Sequence, residues 1–172
     1  MTCGNRVVVV DVETTGMSAA KGGRVIEIGA VTIEDGVIVA ELDTLIDTGA
    51  AISYGAYRVH GISDKMLRGQ PRPSEVWPTF LEFVGDAPLV AHNSPFDSAF
   101  VRNELTLMGL ALRNRWHCTV RLSRKRLPDL PNHRLDTVYR HLFGEIPPAV
   151  RRHRALDDAR LTAQVWVELG GG

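Results

Sequence analysis

The stretch Arg6-Val7-Val8-Val9-Val10-Asp11-Val12-Glu13-Thr14-Thr15-Gly16 decides how the rest of the chain is read. Its valines are β-branched, and residues 6–12 form the kind of run that is buried on both faces at the centre of a sheet. Asp11 and Glu13 end this predicted strand two positions apart. Side chains alternate across a pleat, so the two carboxylates leave the same face. A buried strand does not ordinarily finish on two like charges. Each raises the pKa of the other unless a cation sits between them.

Working outward, residues 24–33 and 37–46 flank Glu34-Asp35-Gly36, a tight-turn signal, and are expected to form a hairpin. Residues 88–92 form a fourth predicted strand and residues 116–119 a short fifth. Ser63 and Ser74 have the character of helix N-caps, with Pro78 blurring the second start. Ser94-Pro95, as N-cap and first-turn proline, begins a helix that runs to about Gly109. A last helix covers residues 155–169. An opening meander followed by β/α alternation predicts an α/β fold with a mixed sheet. One domain over residues 1–169 is expected, with Gly170-Gly171-Gly172 as a flexible tail.

Composition narrows the class. The chain has 172 residues, 44% hydrophobic and 23% charged, proportions of a folded domain and not of a disordered one. It has no uncharged apolar run near the length of about 18 residues that a membrane span requires. Cys3 and Cys118 make no disulfide framework and fit a reducing, cytoplasmic setting. Formal net charge is zero, yet residues 1–100 hold 7 Lys/Arg against 13 Asp/Glu, and residues 101–172 hold 13 against 7. Arg113, Arg115, Arg121, Arg124, Lys125 and Arg126 carry much of the basic excess. Such a half can hold a polyanion beside a carboxylate site, or can simply be a solvated face.

Two further acids stand where apolar residues belong. Asp97, Val101, Leu105 and Met108 share one helical face, as do Asp158, Leu161, Val165 and Leu169. Asp157 falls instead on the face of Arg160, Gln164 and Glu168. Helical spacing therefore selects Asp158 as the inward member of the pair. Four inward carboxylates, Asp11, Glu13, Asp97 and Asp158, are hard oxygen donors suited to Mg²⁺ or Mn²⁺. The bland alternative is that each is separately paired with an arginine. Zinc is disfavoured, since there is no CxxC pair or HExxH helix, and no nucleotide-cradling glycine loop occurs. His153, five residues before Asp158, is placed to act as a general base, on a proline-containing approach that suggests a mobile loop.

Three segments then carry a resemblance. Asp11-Val12-Glu13-Thr14-Thr15-Gly16, His92-Asn93-Ser94-Pro95-Phe96-Asp97 and His153-Arg154-Ala155-Leu156-Asp157-Asp158 resemble, in order and spacing, the exonuclease motifs of the DEDDh family. Val59-His60-Gly61-Ile62-Ser63 is similar to that family's His-Gly-Ile segment. Within the family the pattern is most similar to the proofreading exonucleases of bacterial replicative DNA polymerases. The resemblance implies a ribonuclease H-like, five-stranded mixed sheet with its second strand antiparallel to the rest, flanked by helices. It implies 3′→5′ hydrolysis of nucleic acid with release of nucleoside 5′-monophosphates, using two Mg²⁺ or Mn²⁺ ions per site.

By the same resemblance, Asp11 bridges the two ions, Glu13 and Asp158 hold the nucleophile-side ion and Asp97 the other, and His153 deprotonates the attacking water. Thr14, Thr15 and His60 line the pocket for the terminal nucleotide, supported by Asn93 and Phe96. The implied substrate is a single-stranded or frayed 3′ end, DNA in preference to RNA, in proofreading or repair; trimming of RNA ends is the alternative. A DNA polymerase subunit is the implied partner, and the chain is expected as a monomer or homodimer. Because the resemblance runs out at about Leu169, a freestanding enzyme or a different mode of attachment is also expected.

Overall fold

The computed structural model describes residues 6–171. The valine run forms β1 (Val7–Thr14), which starts one position later and ends two positions later than predicted, and β1 is the middle strand of a five-stranded sheet. β2 (Val25–Glu34) and β3 (Val37–Leu45) make the expected hairpin; both turn residues, Asp35 and Gly36, have positive φ (49° and 81°), as a tight Asp-Gly turn requires. β4 (Leu89–Ala91) and β5 (Trp116–Cys118) follow on the other side of β1. The order is β3-β2-β1-β4-β5. β2 is antiparallel to β1 and β3, whereas β1, β4 and β5 are mutually parallel, so only the second strand runs against the rest.

Seven helices complete the described residues: α1 (Tyr54–His60), α2 (Asp64–Leu67), α3 (Pro73–Val84), α4 (Ser94–Leu107), α5 (Thr119–Arg126), α6 (Leu135–Phe143) and α7 (Ala155–Glu168). The alternation of β1 sorts them into two layers. Val8, Val10 and Val12 point into the larger core, shared with Trp77 and Phe80 of α3 and Phe100, Val101 and Leu105 of α4. Val7 and Val9 face Ala159, Ala163 and Trp166 of α7. Asp11 and Glu13 are the next two positions on that second face. α7 also turns Leu161, Val165 and Leu169 toward Leu135, Val138 and Tyr139 of α6. It is thus buried on two sides, and the stripe named from the sequence is the one that meets α6.

Two starts differ from the sequence reading. Ser63 does cap α2, accepting from the Met66 amide at 3.4 Å. Ser74, however, lies inside α3, which begins at Pro73 after Arg72; Glu75 Oε2 accepts from the Arg72 amide at 2.8 Å, and the helix runs through Pro78. A proline in the first turn and a reciprocal acid three residues past the cap outweigh the serine. Likewise the residue before α4 is Asn93, not Ser94. Asn93 is left-handed (φ 73°), a conformation asparagine tolerates better than most residues.

At the other end of the chain, the expected tail is tied down as far as it is described. Gly170 (φ 68°) and Gly171 donate to Val167 O and Trp166 O, a Schellman closure of α7. Cys3 and Gly172 lie outside the described residues. Among the described residues no helix is long and apolar enough to cross a membrane.

Candidate active site

Three elements meet where β1 ends. Asp11 and Glu13 come from β1, and a bulge at Glu13/Thr14 shifts the ladder there, re-aiming the strand end. Asp97 comes from the first turn of α4, and Asp158 from the first turn of α7. Asp97 is 3% exposed and its Oδ1 accepts from the Val12 amide at 3.2 Å, which ties α4 to the strand between the two acids.

A glycine makes the α7 approach possible. Gly29 is the ladder partner of Asp11, and a Cβ placed there would stand 2.2 Å from Leu156 N. Only a residue with no side chain lets the helix N-terminus lie on the sheet at that point. Glu27 then pins it. This buried acid takes two hydrogen bonds from Arg154 (2.8 and 2.6 Å) and one from the Ala155 amide (3.0 Å). Glu104 does the same for α4, accepting from Arg24 Nε and Nη2 and the Val25 amide at 2.8–2.9 Å.

Glu27 and Glu104 are arginine-paired structural carboxylates, the bland alternative in practice, and sequence spacing did not identify either. Asp11, Glu13 and Asp97 are not in that state. Burial and then the charges of Asp97 and Glu13 push the Asp11 carboxyl well above its usual range. Burial, then Glu27 and Asp97, raise Glu13 to about 8. Burial raises Asp97 to about 8. Three carboxyls pushed up together describe a pocket with more negative charge than its protein cations neutralise. Glu13, His153 and Asp158 each present a ligand atom within 4.8 Å of the others. The donor set and its charge therefore fit divalent metal.

His153 is exposed and left-handed (φ 61°), a strained backbone for a residue with a side chain. Partial desolvation of its ring, then the Arg152 charge, lower its pKa from the free imidazole value, which favours the neutral ring. Asp158 accepts from the His153 amide at 3.2 Å and from Arg152 Nη1. Asp157 points away from the site. Its oxygens accept from the Arg151 amide (2.8 Å) and Arg160 (3.2 Å), so it is tied to its own neighbours and is less wet than predicted, 15% exposed.

A cavity of about 440 Å³ opens over these groups. Asp11, Glu13, Thr14, His60, Asn93, Phe96, Asp97, His153 and Asp158 line it, nine of the ten residues named from the sequence. Thr15 is the exception: its Oγ1 accepts from the Arg24 amide at 3.0 Å, and it borders a different surface cleft. Both nitrogens of His60 are engaged, Nδ1 accepting from Ile62 N and Nε2 donating to Thr14 O, so the ring is a wall and not a ligand.

The sequence reading missed the outer wall, which includes Met17, Ala56 and Val59. Ala56 and Val59 lie on α1, which the sequence reading did not assign as a helix and which Ser53 caps, accepting from Ala56 N at 3.2 Å. It also left His92 without a role. His92 accepts from Thr119 Oγ1 (2.8 Å) and donates to His133 O (2.9 Å), and burial holds it neutral with a pKa of about 4. The basic run does not line this cavity. Arg121 and Lys125 border a separate groove with Trp116, His117 and Trp166, and the cations beside the acids are Arg134, Arg140 and Arg152.

Comparison with known proteins agrees with this architecture. The chain is 43% identical over 158 residues to a DNA polymerase III PolC-type protein of Clostridium perfringens, covering 92% of this chain but 11% of that one. It is 39% identical to the DNA polymerase III subunit epsilon of Aquifex aeolicus, covering 94% of this chain and 79% of that one. A solved structure of exonuclease X in complex with 5′-overhanging duplex DNA superposes with a TM-score of 0.77 at 28% identity, over 95% of this chain and 90% of that one. The chain thus spans about a tenth of the PolC-type relative it matches and most of the epsilon relative. A family model described as Exonuclease matches residues 8–166. With that match, and with acids from β1, α4 and α7 converging on one cavity, this chain belongs to the exonuclease family, whose members depend on divalent metal.

Proposed function

We propose that the chain is a 3′→5′ exonuclease acting on single-stranded or frayed 3′ ends of DNA, releasing nucleoside 5′-monophosphates during proofreading or repair. The observation that carries this reading is the convergence of Asp11, Glu13, Asp97 and Asp158 beneath a cavity that also admits His153. The four carboxylates, with Asp11 central among them, would hold a pair of divalent cations, Mg²⁺ or Mn²⁺. When bound, such a pair neutralises the charge on the attacking and leaving oxygens of an in-line displacement at phosphorus.

His153 takes the proton of the attacking water on an imidazole nitrogen that is free because the ring is neutral. The terminal nucleoside occupies the cavity above, with its base against Phe96, Val59 and Met17 and its sugar near Thr14 and Asn93. His60 keeps that wall rigid through its two backbone contacts. Support for DNA as the substrate comes from the relatives, which are replicative polymerase components, and from the DNA-bound fold neighbour. The same relatives support a DNA polymerase as its partner.

The test is a matched pair of 3′-labelled DNA and RNA oligonucleotides incubated with the protein and Mg²⁺. The expected result is stepwise release of labelled deoxynucleoside monophosphate, much slower with RNA and absent with Asp11→Asn. Preferred cleavage of RNA would replace the substrate class, and cleavage at internal bonds would overturn the end-directed reading.

A further inference from the structure

Arg152 stands among the carboxylates without belonging to any motif. It lies on the approach to α7, its side chain is 21% exposed, and it forks between two acids, Nε to Asp136 of α6 and Nη1 to Asp158 Oδ1. Asp158 Oδ2 is engaged too, by the His153 amide. Each oxygen of this ligand thus already accepts one hydrogen bond, and the one on Oδ1 comes from a cation.

We propose that Arg152 is the resident cation of the acidic site: it holds Asp158 until divalent ions displace it, and so sets how tightly the site takes metal. This rests on the reading that the cluster binds divalent ions. Three observations support it. Among the described residues, Arg152 is the cation that forms an ion pair with one of the four site carboxylates, through Nη1 on Asp158 Oδ1. A guanidinium and a divalent ion on one carboxylate repel each other, so binding one releases the other. The departing side chain also has somewhere to go. Arg152 borders a second cavity of about 620 Å³, with Asn132, Arg134 and Arg140, that meets the first along Asp11, His92, His153 and Asp158. The neighbouring left-handed His153 is the kind of strained joint that moves when its restraints change.

Competition of this kind divides the intrinsic dissociation constant by the fraction of molecules in which Asp158 is free, so removing the competitor tightens binding roughly tenfold if the fork is closed about nine-tenths of the time. The experiment is calorimetric titration of the metal-free protein with Mn²⁺, without nucleic acid, together with melting temperatures. Arg152→Gln is expected to bind Mn²⁺ about tenfold more tightly than wild type, to melt lower without metal, and to gain more from Mn²⁺. Arg140→Gln, which removes a cation from the same cavity without touching a carboxylate of the site, is expected to stay within about twofold.

If Arg152→Gln does not fold without metal, Arg152→Lys carries the test: it keeps the charge but not the two-acid fork, and is expected to tighten binding severalfold. Unchanged or weaker Mn²⁺ affinity in the Arg152 variant would overturn the proposal, as would an equal gain in Arg140→Gln. A wild-type protein that binds no Mn²⁺ at all would overturn the metal reading itself, and this proposal with it.

Discussion

Asp157 and Asp158 differ by one position, and the helix makes that difference chemical. One hundred degrees of rotation leaves Asp158 5% exposed at the floor of the cavity and Asp157 bonded to Arg151 and Arg160 outside it. Asp158→Asn keeps the shape and removes the charge, and is expected to cut turnover at least a hundredfold, about 2.7 kcal/mol of barrier. Asp157→Asn is expected to stay within about threefold of wild type. Steady-state assays of the two variants check this, and the opposite order would unseat the site. His153 has its own signature. Its lowered pKa predicts that kcat/KM falls on acidification only below about pH 6.5, where the imidazole becomes charged and loses its proton-accepting nitrogen. A pH–rate profile with the acid limb well above that would assign the base elsewhere.

Two helices carry Asp97 and Asp158, and their attachment to the sheet is as much a part of the site as the acids are. The first turn of α7 lies directly on Gly29, opposite Asp11 in the ladder, and is held by Glu27. Gly29→Ala forces that turn away. It is expected to cost roughly 1–3 kcal/mol of stability through overpacking, and about a hundredfold in turnover if Asp158 moves by about 1 Å. Chemical denaturation and turnover, measured side by side, would show both; wild-type activity would mean that α7 has room the coordinates deny. Nothing in the residues around Gly29 marked it, because the atom it must accommodate belongs to a helix 126 positions later. Ser94 likewise does not cap α4: the residue before the helix is Asn93, left-handed at φ 73°, a conformation asparagine tolerates.

At the scale of the molecule, the cluster stores unfavourable charge. Glu13 and Asp97 have folded-state pKa values of about 8, above the 4.5 and 3.8 of their free forms, so between those limits the native state binds more protons than the unfolded one. Stability of the metal-free protein is therefore expected to be highest below the unfolded values, as far as these two groups are concerned, and to fall as pH rises toward 8, by on the order of a few kcal/mol. Melting temperatures taken metal-free from pH 6 to 9 are expected to decline, and saturating Mn²⁺ is expected to flatten the decline. Glu13→Gln is expected to melt higher than wild type at pH 8 without metal while losing activity. A metal-free melting temperature that rises with pH across this range would show that the acids are already neutralised.

The valine run, the Asp-Gly hairpin and the inward acids of two helices were legible in the order of amino acids, because they follow from periods of two and 3.6 residues or from short motifs that contact themselves; Thr14, His60, Asn93 and Phe96, which also line the cavity, were named only through the family resemblance. The direction of β2 against the other strands came only through the family resemblance, and the sheet has it; the order β3-β2-β1-β4-β5 is a property of the tertiary structure. What the tertiary structure alone decided is pairing between distant positions. It separated Glu27 and Glu104, which have arginine partners, from Asp11, Glu13 and Asp97, whose charge is left unbalanced. It brought Arg152 onto Asp158 and turned Thr15 away. A carboxylate written in a sequence is the same in either role; whether a cation stands within reach of it is a property of the folded chain.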